Sequence, residues 1–213
     1  MTEEEAKTWL NTQLHVSRET MNKLERYVRL LLAEMDVQNL IAESTRGHVW
    51  ARHIVDSAQL LPLAHSALDG AWLDLGSGAG LPAIVIAILA DRPVLMVEAR
   101  RKRIDFLCAV IAELGLDHAQ IFGGRVETAK TVPAAVISAR AYAPLPRLLA
   151  SAHHLSSDRT IWLLPKGRNA ENELEAARPT WQGVFHVERS VTDPDSAIIT
   201  ARSVMPRSKK GRG

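Results

Sequence analysis

Three glycines at alternate positions, Gly76, Gly78 and Gly80 in Trp72-Leu73-Asp74-Leu75-Gly76-Ser77-Gly78-Ala79-Gly80-Leu81-Pro82, restrict the folds open to this chain more than any other feature. Apolar residues 71–75, Asp74 apart, enter the turn as a short strand. The almost wholly apolar residues 81–90 leave it as a helix, with Pro82 suited to the first helical turn. Glycines accept positive φ and let main-chain N–H groups come close to a ligand. A strand, a glycine turn and a helix N-terminus together form a site for a nucleotide-like ligand. The dinucleotide fingerprint G-x-G-x-x-G would need a third glycine where Leu81 stands, so a pyrophosphate-bearing cofactor is disfavoured.

The observed pattern is D-x-G-x-G-x-G, beginning at Asp74, which is similar to the signature of class I S-adenosylmethionine-dependent methyltransferases. That cofactor is a zwitterionic amino acid on a nucleoside. Asp74 is placed to meet the ammonium group, directly or through water. Glu98, 22 residues after Gly76 at the end of the next expected strand, is placed to accept the ribose hydroxyls.

From residue 71 onward, short apolar runs alternate with helical patterns, the mark of a parallel-sheet α/β fold. Strands are expected at 71–75, 94–97, 119–123, 135–138, 160–164, 185–189 and 197–202. Helices are expected at 82–90, 101–114, 145–155 and 171–177. Residues 1–66 read as a helical region. Ser17 is an N-cap candidate for a helix over 18–37, with Met21, Leu24, Val28, Leu31, Leu32 and Met35 on one face. A polar loop is expected at 43–47 and a second helix at 48–61, closed by Pro62 and Asp69-Gly70. The expected organisation is thus an N-terminal helical region (1–66), a Rossmann-like domain with a seven-stranded, mostly parallel sheet (67–205), and a mobile basic tail (206–213) holding Arg207, Lys209, Lys210 and Arg212.

The chain has 213 residues and one cysteine, Cys108, so no disulfide framework is expected, and Cys108 reads as a core residue of a helix. The acidic start (Glu3, Glu4, Glu5) is unlike a signal peptide, and no apolar run approaches the ~20 residues that span a bilayer. A cytoplasmic protein is expected. The eight histidines show no metal-ligand spacing, and no metal is expected. With a net charge of only +2, clustering of charge carries more information than its sum. Arg100, Arg101, Lys102 and Arg103 open a helix, where cations oppose the macrodipole. Contacts with phosphates would explain such a run, and a solvated charge run is the alternative reading.

No Asn/Asp-Pro-Pro-Tyr/Phe motif follows the fourth expected strand. Arg140-Ala141-Tyr142-Ala143 stands there instead. A ring nitrogen such as guanine N7 has a free lone pair in the neutral base. It attacks a sulfonium methyl group without a general base, given placement and a suitable field.

These features resemble those of the RsmG (GidB) methyltransferases, which modify guanine N7, at guanine 527, in the 530 loop of bacterial 16S rRNA. The matching blocks are Arg52-His53-Ile54-Val55-Asp56-Ser57, the stretch from Asp74 to Pro82, Lys102-Arg103 with Phe106-Leu107, and Glu113-Leu114-Gly115-Leu116. Arg125-Val126-Glu127, Ser138 to Ala141 and Lys166-Gly167 complete them. The resemblance implies S-adenosyl-L-methionine as cofactor and 16S rRNA of the small ribosomal subunit as partner. Asp74, Gly76, Ser77, Gly78, Gly80, Leu81, Glu98, Val126, Glu127 and Arg140 would form the cofactor site. Arg140, Arg125 and His53 would act on the target base, and Arg52, Arg100, Arg101, Lys102 and Arg103 would meet RNA. A monomer is expected. The chain departs from the family pattern at Ala135, Ala139 and Glu98, and in residues 39–48. Three other readings compete: a methyltransferase for another RNA or a small molecule, a nicotinamide-dependent oxidoreductase, and a non-catalytic RNA-binding module with a relic cofactor loop.

Overall fold

The computed structural model describes residues 1–65, 67, 70–130 and 133–207. Helix α1 (Glu3–Gln13) starts with a capping box, in which Thr2 and Glu5 satisfy each other's main-chain N–H groups. Ser17 caps α2 (Arg18–Glu34) by accepting from the Thr20 N–H at 3.1 Å. The expected stripe holds in Leu24, Val28 and Leu31, which are buried, and Tyr27 joins them. The Tyr27 hydroxyl donates to the Ala79 carbonyl at 2.8 Å and so pins α2 to the glycine turn.

Residues 43–47, expected as loop, form part of a 3-10 turn over Glu43–His48. A π-helical turn, Trp50–Val55, follows, then α3 (Asp56–Ala58) and α4 (Leu60–Leu63). Pro62 lies within the first turn of α4, where its missing N–H leaves no bond unmade, rather than ending the segment. The carboxylate of Glu3 accepts from the Trp50 and Ala51 N–H groups at 3.0 and 2.9 Å, so α1 supplies the cap that the π-helical turn lacks locally. Asp69 and the expected boundary residue Ser66 lie outside the described residues.

The second part alternates as expected: β1 (Trp72–Leu75), α5 (Ala83–Leu89), β2 (Val94–Glu98), α6 (Arg101–Leu114), β3 (Ala119–Gly123) and β4 (Val136–Ser138). It continues with α7 (Leu145–Ala152), β5 (Ile161–Lys166), α8 (Ala170–Ala177), β6 (Trp181–Arg189) and β7 (Ala197–Pro206). One sheet has the order β3-β2-β1-β4-β5-β7-β6. The first five strands are parallel, and β7 runs antiparallel to both β5 and β6. Strand ends and the sheet's order reversal between β1 and β4 therefore gather loops at one edge, where ligands bind in such folds.

Alternation along each strand divides the core. Trp72, Val94, Met96, Val136 and Ile161 face α2, the π-helical segment, α5 and α6, whereas Leu73, Leu75, Val97, Ile137 and Trp162 face α7 and α8. Helix α5 is buried from Ala83 to Ile88, on every side. A helix apolar all round needs cover on its outer face, and the N-terminal helices supply it.

The core role expected of Cys108 is overturned: its side chain is exposed. Helix α6 buries Phe106, Leu107, Val110 and Leu114, and Cys108 falls on the opposite face. At the C-terminus, the Arg207 N–H donates to the Thr180 carbonyl at 2.8 Å. Lys209, Lys210 and Arg212 lie outside the described residues. Among the described residues, no helix is long and apolar enough to cross a membrane.

Candidate active site

The turn after β1 takes φ values of +66° at Gly76, +58° at Gly78 and +88° at Gly80, each open to glycine and strained for other residues. The reasons for two of these glycines differ. A Cβ on Gly80 would lie 2.4 Å from Ile84 Cγ1, so Gly80 lets α5 close on the turn. A Cβ on Gly76 would lie 2.7 Å from Tyr142 Cδ2, so Gly76 lets that ring close over the turn.

Two cavities flank Tyr142. The first, about 320 Å³, is lined by Gly76, Glu98, Val126, Glu127 and Tyr142 among others, with Arg100, Arg103, Arg125 and Arg147 around them. Ser77, Asp74 and Leu81 are buried, and none of them, nor Gly78 or Gly80, lines this cavity. Asp74 is 1 % exposed. Its Oδ1 accepts from the Ser138 hydroxyl at 2.7 Å, and its Oδ2 has no hydrogen-bond partner. Burial raises its carboxyl to about 6, against opposing help from Ser77, Ser138 and Arg140.

Glu98 departs from a ribose-only role. Its Oε2 accepts from the Gly78 N–H at 2.9 Å, and its Oε1 accepts from the Ala99 and Arg100 N–H groups at 2.8 Å each. The carboxylate thereby clamps the glycine turn to the head of α6 and puts negative charge at that helix N-terminus. Three bonds leave a carboxylate room for about one more donor. The basic run at α6 is partly accounted for locally: Arg101 pairs with Asp105 at 2.9 Å, and Arg103 Nη1 stands 3.9 Å from Glu98. Arg100 and Lys102 are exposed. Arg125 pairs with Glu127 at 3.4 Å in the open.

The second cavity, about 640 Å³, is lined by the π-helical segment (Arg52, His53), by Asp56, by the β4 end (Arg140 to Pro144), and by Lys166, Glu173 and Thr192. It shares Ala141 and Tyr142 with the first. Ala141 has a φ of +51°, a sterically costly value for a residue with a Cβ, at the point where the cavities meet. Arg140 donates to His53 Nδ1 at 3.0 Å, to Asp56 Oδ2 at 3.3 Å and to the Arg52 carbonyl at 3.3 Å. His53 is buried, and this burial with Arg140 and Arg52 nearby lowers it to about 3, so the ring is neutral. Asp56 also accepts from Gln59 at 3.0 Å and from Thr192 at 3.2 Å. Arg52 pairs with Asp193, which draws the loop between β6 and β7 against this wall. Lys166 donates to Glu173 at 2.7 Å and to the Ala143 carbonyl at 2.9 Å.

The sequence-predicted residues thus divide between two chambers. Gly76, Glu98, Val126, Glu127 and Arg125 line the first with Arg100 and Arg103, while Arg140, His53 and Arg52 line the second. Arg101 and Lys102 line neither. Sequence reasoning passed over Thr45, Arg147, Glu173 and Thr192, which come from elements distant in the chain and carry no local motif. Among the described residues, no group of three or more His, Cys, Asp or Glu is placed to hold a metal ion.

The fold has solved counterparts. An O-methyltransferase from Bacillus cereus matches with a TM-score of 0.58 at 16 % identity, over 92 % of this chain and 96 % of that one. The glycopeptide N-methyltransferase MtfA complexed with S-adenosyl-L-methionine matches with a TM-score of 0.57 at 12 % identity, over 70 % and 94 %. Sequence relatives are much nearer. The ribosomal RNA small subunit methyltransferase G of Rhizorhabdus wittichii is 51 % identical, over 100 % of this chain and 98 % of its own. That of Sphingopyxis alaskensis is 50 % identical, over 99 % and 90 %. Residues 20–198 match the GidB family, rRNA small subunit methyltransferase G, and the chain belongs to that family.

Proposed function

We propose that this protein transfers the methyl group of S-adenosyl-L-methionine to N7 of a guanine, guanine 527 of the 530 loop, in 16S rRNA. Family membership and near full-length relatives named for small-subunit rRNA methylation support the reaction class. The observation that carries the N7 reading is the second cavity's lack of an available base. His53 Nδ1 takes an Arg140 N–H, Asp56 is held by Arg140, Gln59 and Thr192, and Glu173 is held by Lys166. An exocyclic amine would need a proton removed, whereas N7 offers its lone pair directly.

The glycine turn that borders the first chamber through Gly76 fits the cofactor. Asp74 Oδ2 is a buried carboxylate oxygen without a partner, suited to a ligand carrying an ammonium group. S-adenosyl-L-methionine supplies a methyl group on a sulfonium sulfur. Gly76, Gly78 and Gly80 shape the turn beneath it, with Ser77 and Leu81 packed as support. Glu98 holds the turn and takes one ribose hydroxyl in its remaining site. Val126 packs against the adenine, beside Glu127.

In the second chamber Arg140 orients the base, its guanidinium fixed by Asp56 and His53. His53 is moved from a catalytic to a positioning role, because its neutral ring is fully engaged. Arg125, expected to act on the target base, borders the first chamber and not the second, and is moved to phosphate contact. With Arg52, Arg100, Arg101, Lys102 and Arg103 it meets RNA, with salt-sensitive affinity. Tyr142, between the chambers, forms the wall at which base and methyl group meet. The protein works as a cytoplasmic monomer on the small subunit, with residues 1–66 as the helical region and 67–205 as the catalytic fold.

Methyl transfer from radiolabelled cofactor to small subunits lacking the modification tests the proposal. Label at N7 of guanine 527 is expected. Label on another nucleotide overturns the target, and label on an exocyclic amine overturns the base-free chemistry.

A further inference from the structure

The 3-10 turn Glu43–His48 reaches the second cavity through Thr45. Thr45 Oγ1 stands 2.7 Å from His53 Nε2 and 2.7 Å from the Ala42 carbonyl. His53 Nδ1 stands 3.0 Å from Arg140 Nη2. The direction of every bond in this chain is fixed from one end. A guanidinium is always protonated and only donates, so His53 Nδ1 must accept. The proton of the ring then sits on Nε2 and is donated to Thr45 Oγ1. A carbonyl only accepts, so the Thr45 hydroxyl donates to Ala42. A single arrangement of protons satisfies all three contacts.

We propose that Thr45 is a positioning residue for methyl transfer, acting through His53 to hold the Arg140 guanidinium against the second cavity. Without the hydroxyl, Nε2–H loses its acceptor, and the ring gains freedom to rotate or to change tautomer. An Nδ1–H tautomer would turn a donor toward Arg140, which has only donors to offer. Arg140 would then keep Asp56 and the Arg52 carbonyl but lose one of its three restraints. The charged and titratable groups facing His53 are Arg140 and Arg52, with Asp56 bound to the other terminal nitrogen of Arg140, Nη1. Both arginines disfavour an imidazolium, which agrees with the neutral ring that the hydrogen bonds require. The segment over 43–48 therefore serves as a brace for the active-site arginine, whatever else it does.

The proposal rests on the methyltransferase reading for its kinetic arm and on none of it for its spectroscopic arm. Thr45→Val keeps the shape and removes the hydroxyl, and Thr45→Ser restores the hydroxyl without the methyl group. Single-turnover methyl transfer to small subunits is expected to fall about 10- to 100-fold in Thr45→Val. Cofactor affinity by calorimetry should stay at its wild-type value, and Thr45→Ser should return most of the rate. His53→Asn, which keeps an acceptor toward Arg140 and loses the contact with Thr45, should lie between Thr45→Val and wild type. Equal rates in Thr45→Val and wild type would overturn the proposal, as would a Thr45→Ser variant as slow as Thr45→Val. Nitrogen-15 correlation spectra of the histidine rings in the full-length protein give the second arm. They should show His53 protonated on Nε2 alone, and mixed tautomers in Thr45→Val. A ring protonated on Nδ1, or on both nitrogens at neutral pH, would overturn the proposal. If the wild type transfers no methyl group, the functional reading fails, and the spectra alone decide on the relay.

Discussion

The two chambers that meet at Ala141 and Tyr142 are built by different means. The first is a backbone site. It borders, through Gly76, a turn of three positive-φ glycines, held by a carboxylate that accepts main-chain N–H groups. The second is a side-chain site. Arg140, His53, Thr45 and Asp56 come from elements up to 95 residues apart and fix one another by hydrogen bonds. A backbone site is fixed by the local sequence and resists change until a Cβ is added. A side-chain site is only as rigid as its most weakly held member.

The widest test of that contrast is Gly80→Val. The new side chain would run into Ile84 at a positive-φ position, and a loss of about 4 kcal/mol of stability is expected. Thermal unfolding measures it, and a near-normal melting temperature would show that the turn is not the rigid half. Arg140→Met should lower methyl transfer about 10²- to 10³-fold, or ~3–4 kcal/mol, by removing an oriented charge. Cofactor affinity should change far less. An equal loss in both would move Arg140 to the cofactor side.

Asp74 offers a third test. In the folded chain burial raises its carboxyl to about 6, against an ordinary 3.8, so the folded state holds this proton more tightly than the unfolded state. Its contribution to stability is complete below about pH 4 and is lost as pH rises through about 6, by up to about 3 kcal/mol. Asp74→Asn should therefore gain on the wild type between those values in chemical denaturation. Binding of S-adenosyl-L-methionine, which needs the ionised form, should tighten through about pH 6 in the wild type alone. A flat profile would detach Asp74 from the cofactor.

Gly76→Ala is milder, with about 1–2 kcal/mol for the positive φ and a displaced Tyr142 ring. Cofactor binding about tenfold weaker is expected. Adding Tyr142→Ala should restore part of it, a coupling that a double-mutant cycle reads out. Additivity would mean that the two chambers do not share that wall. Smallest is Lys102→Ala, on the exposed start of α6. It should reduce the salt slope of RNA binding by about 1 and leave the cofactor untouched. An unchanged slope would place the RNA elsewhere.

Much of the fold was legible in the residues because its signals are local. Gly115 closes α6 at the expected place in the left-handed conformation, and β1 lies where the apolar run Trp72-Leu73-Asp74-Leu75 predicts a short buried strand. Errors gathered where local preference met tertiary demand. Polar residues 43–47 lie in a helical turn whose Thr45 meets His53, a residue of the next turn, and Cys108 is exposed because α6 is covered on only one face. Glu98 was legible as an acid at a strand end. Its clamp on three main-chain amides was not, since those N–H groups belong to a turn 20 residues away and to its own helix start.

The sequence by itself determined the parallel-sheet fold, the glycine turn and the cluster of candidate arginines, because periodicity, φ preference and spacing act within a few residues. Only the tertiary structure decided which arginine is held, that His53 is neutral and engaged, and that two chambers share the Ala141–Tyr142 wall. Those properties depend on burial and on hydrogen bonds between distant segments, and neither exists until the sheet has brought its strand ends together.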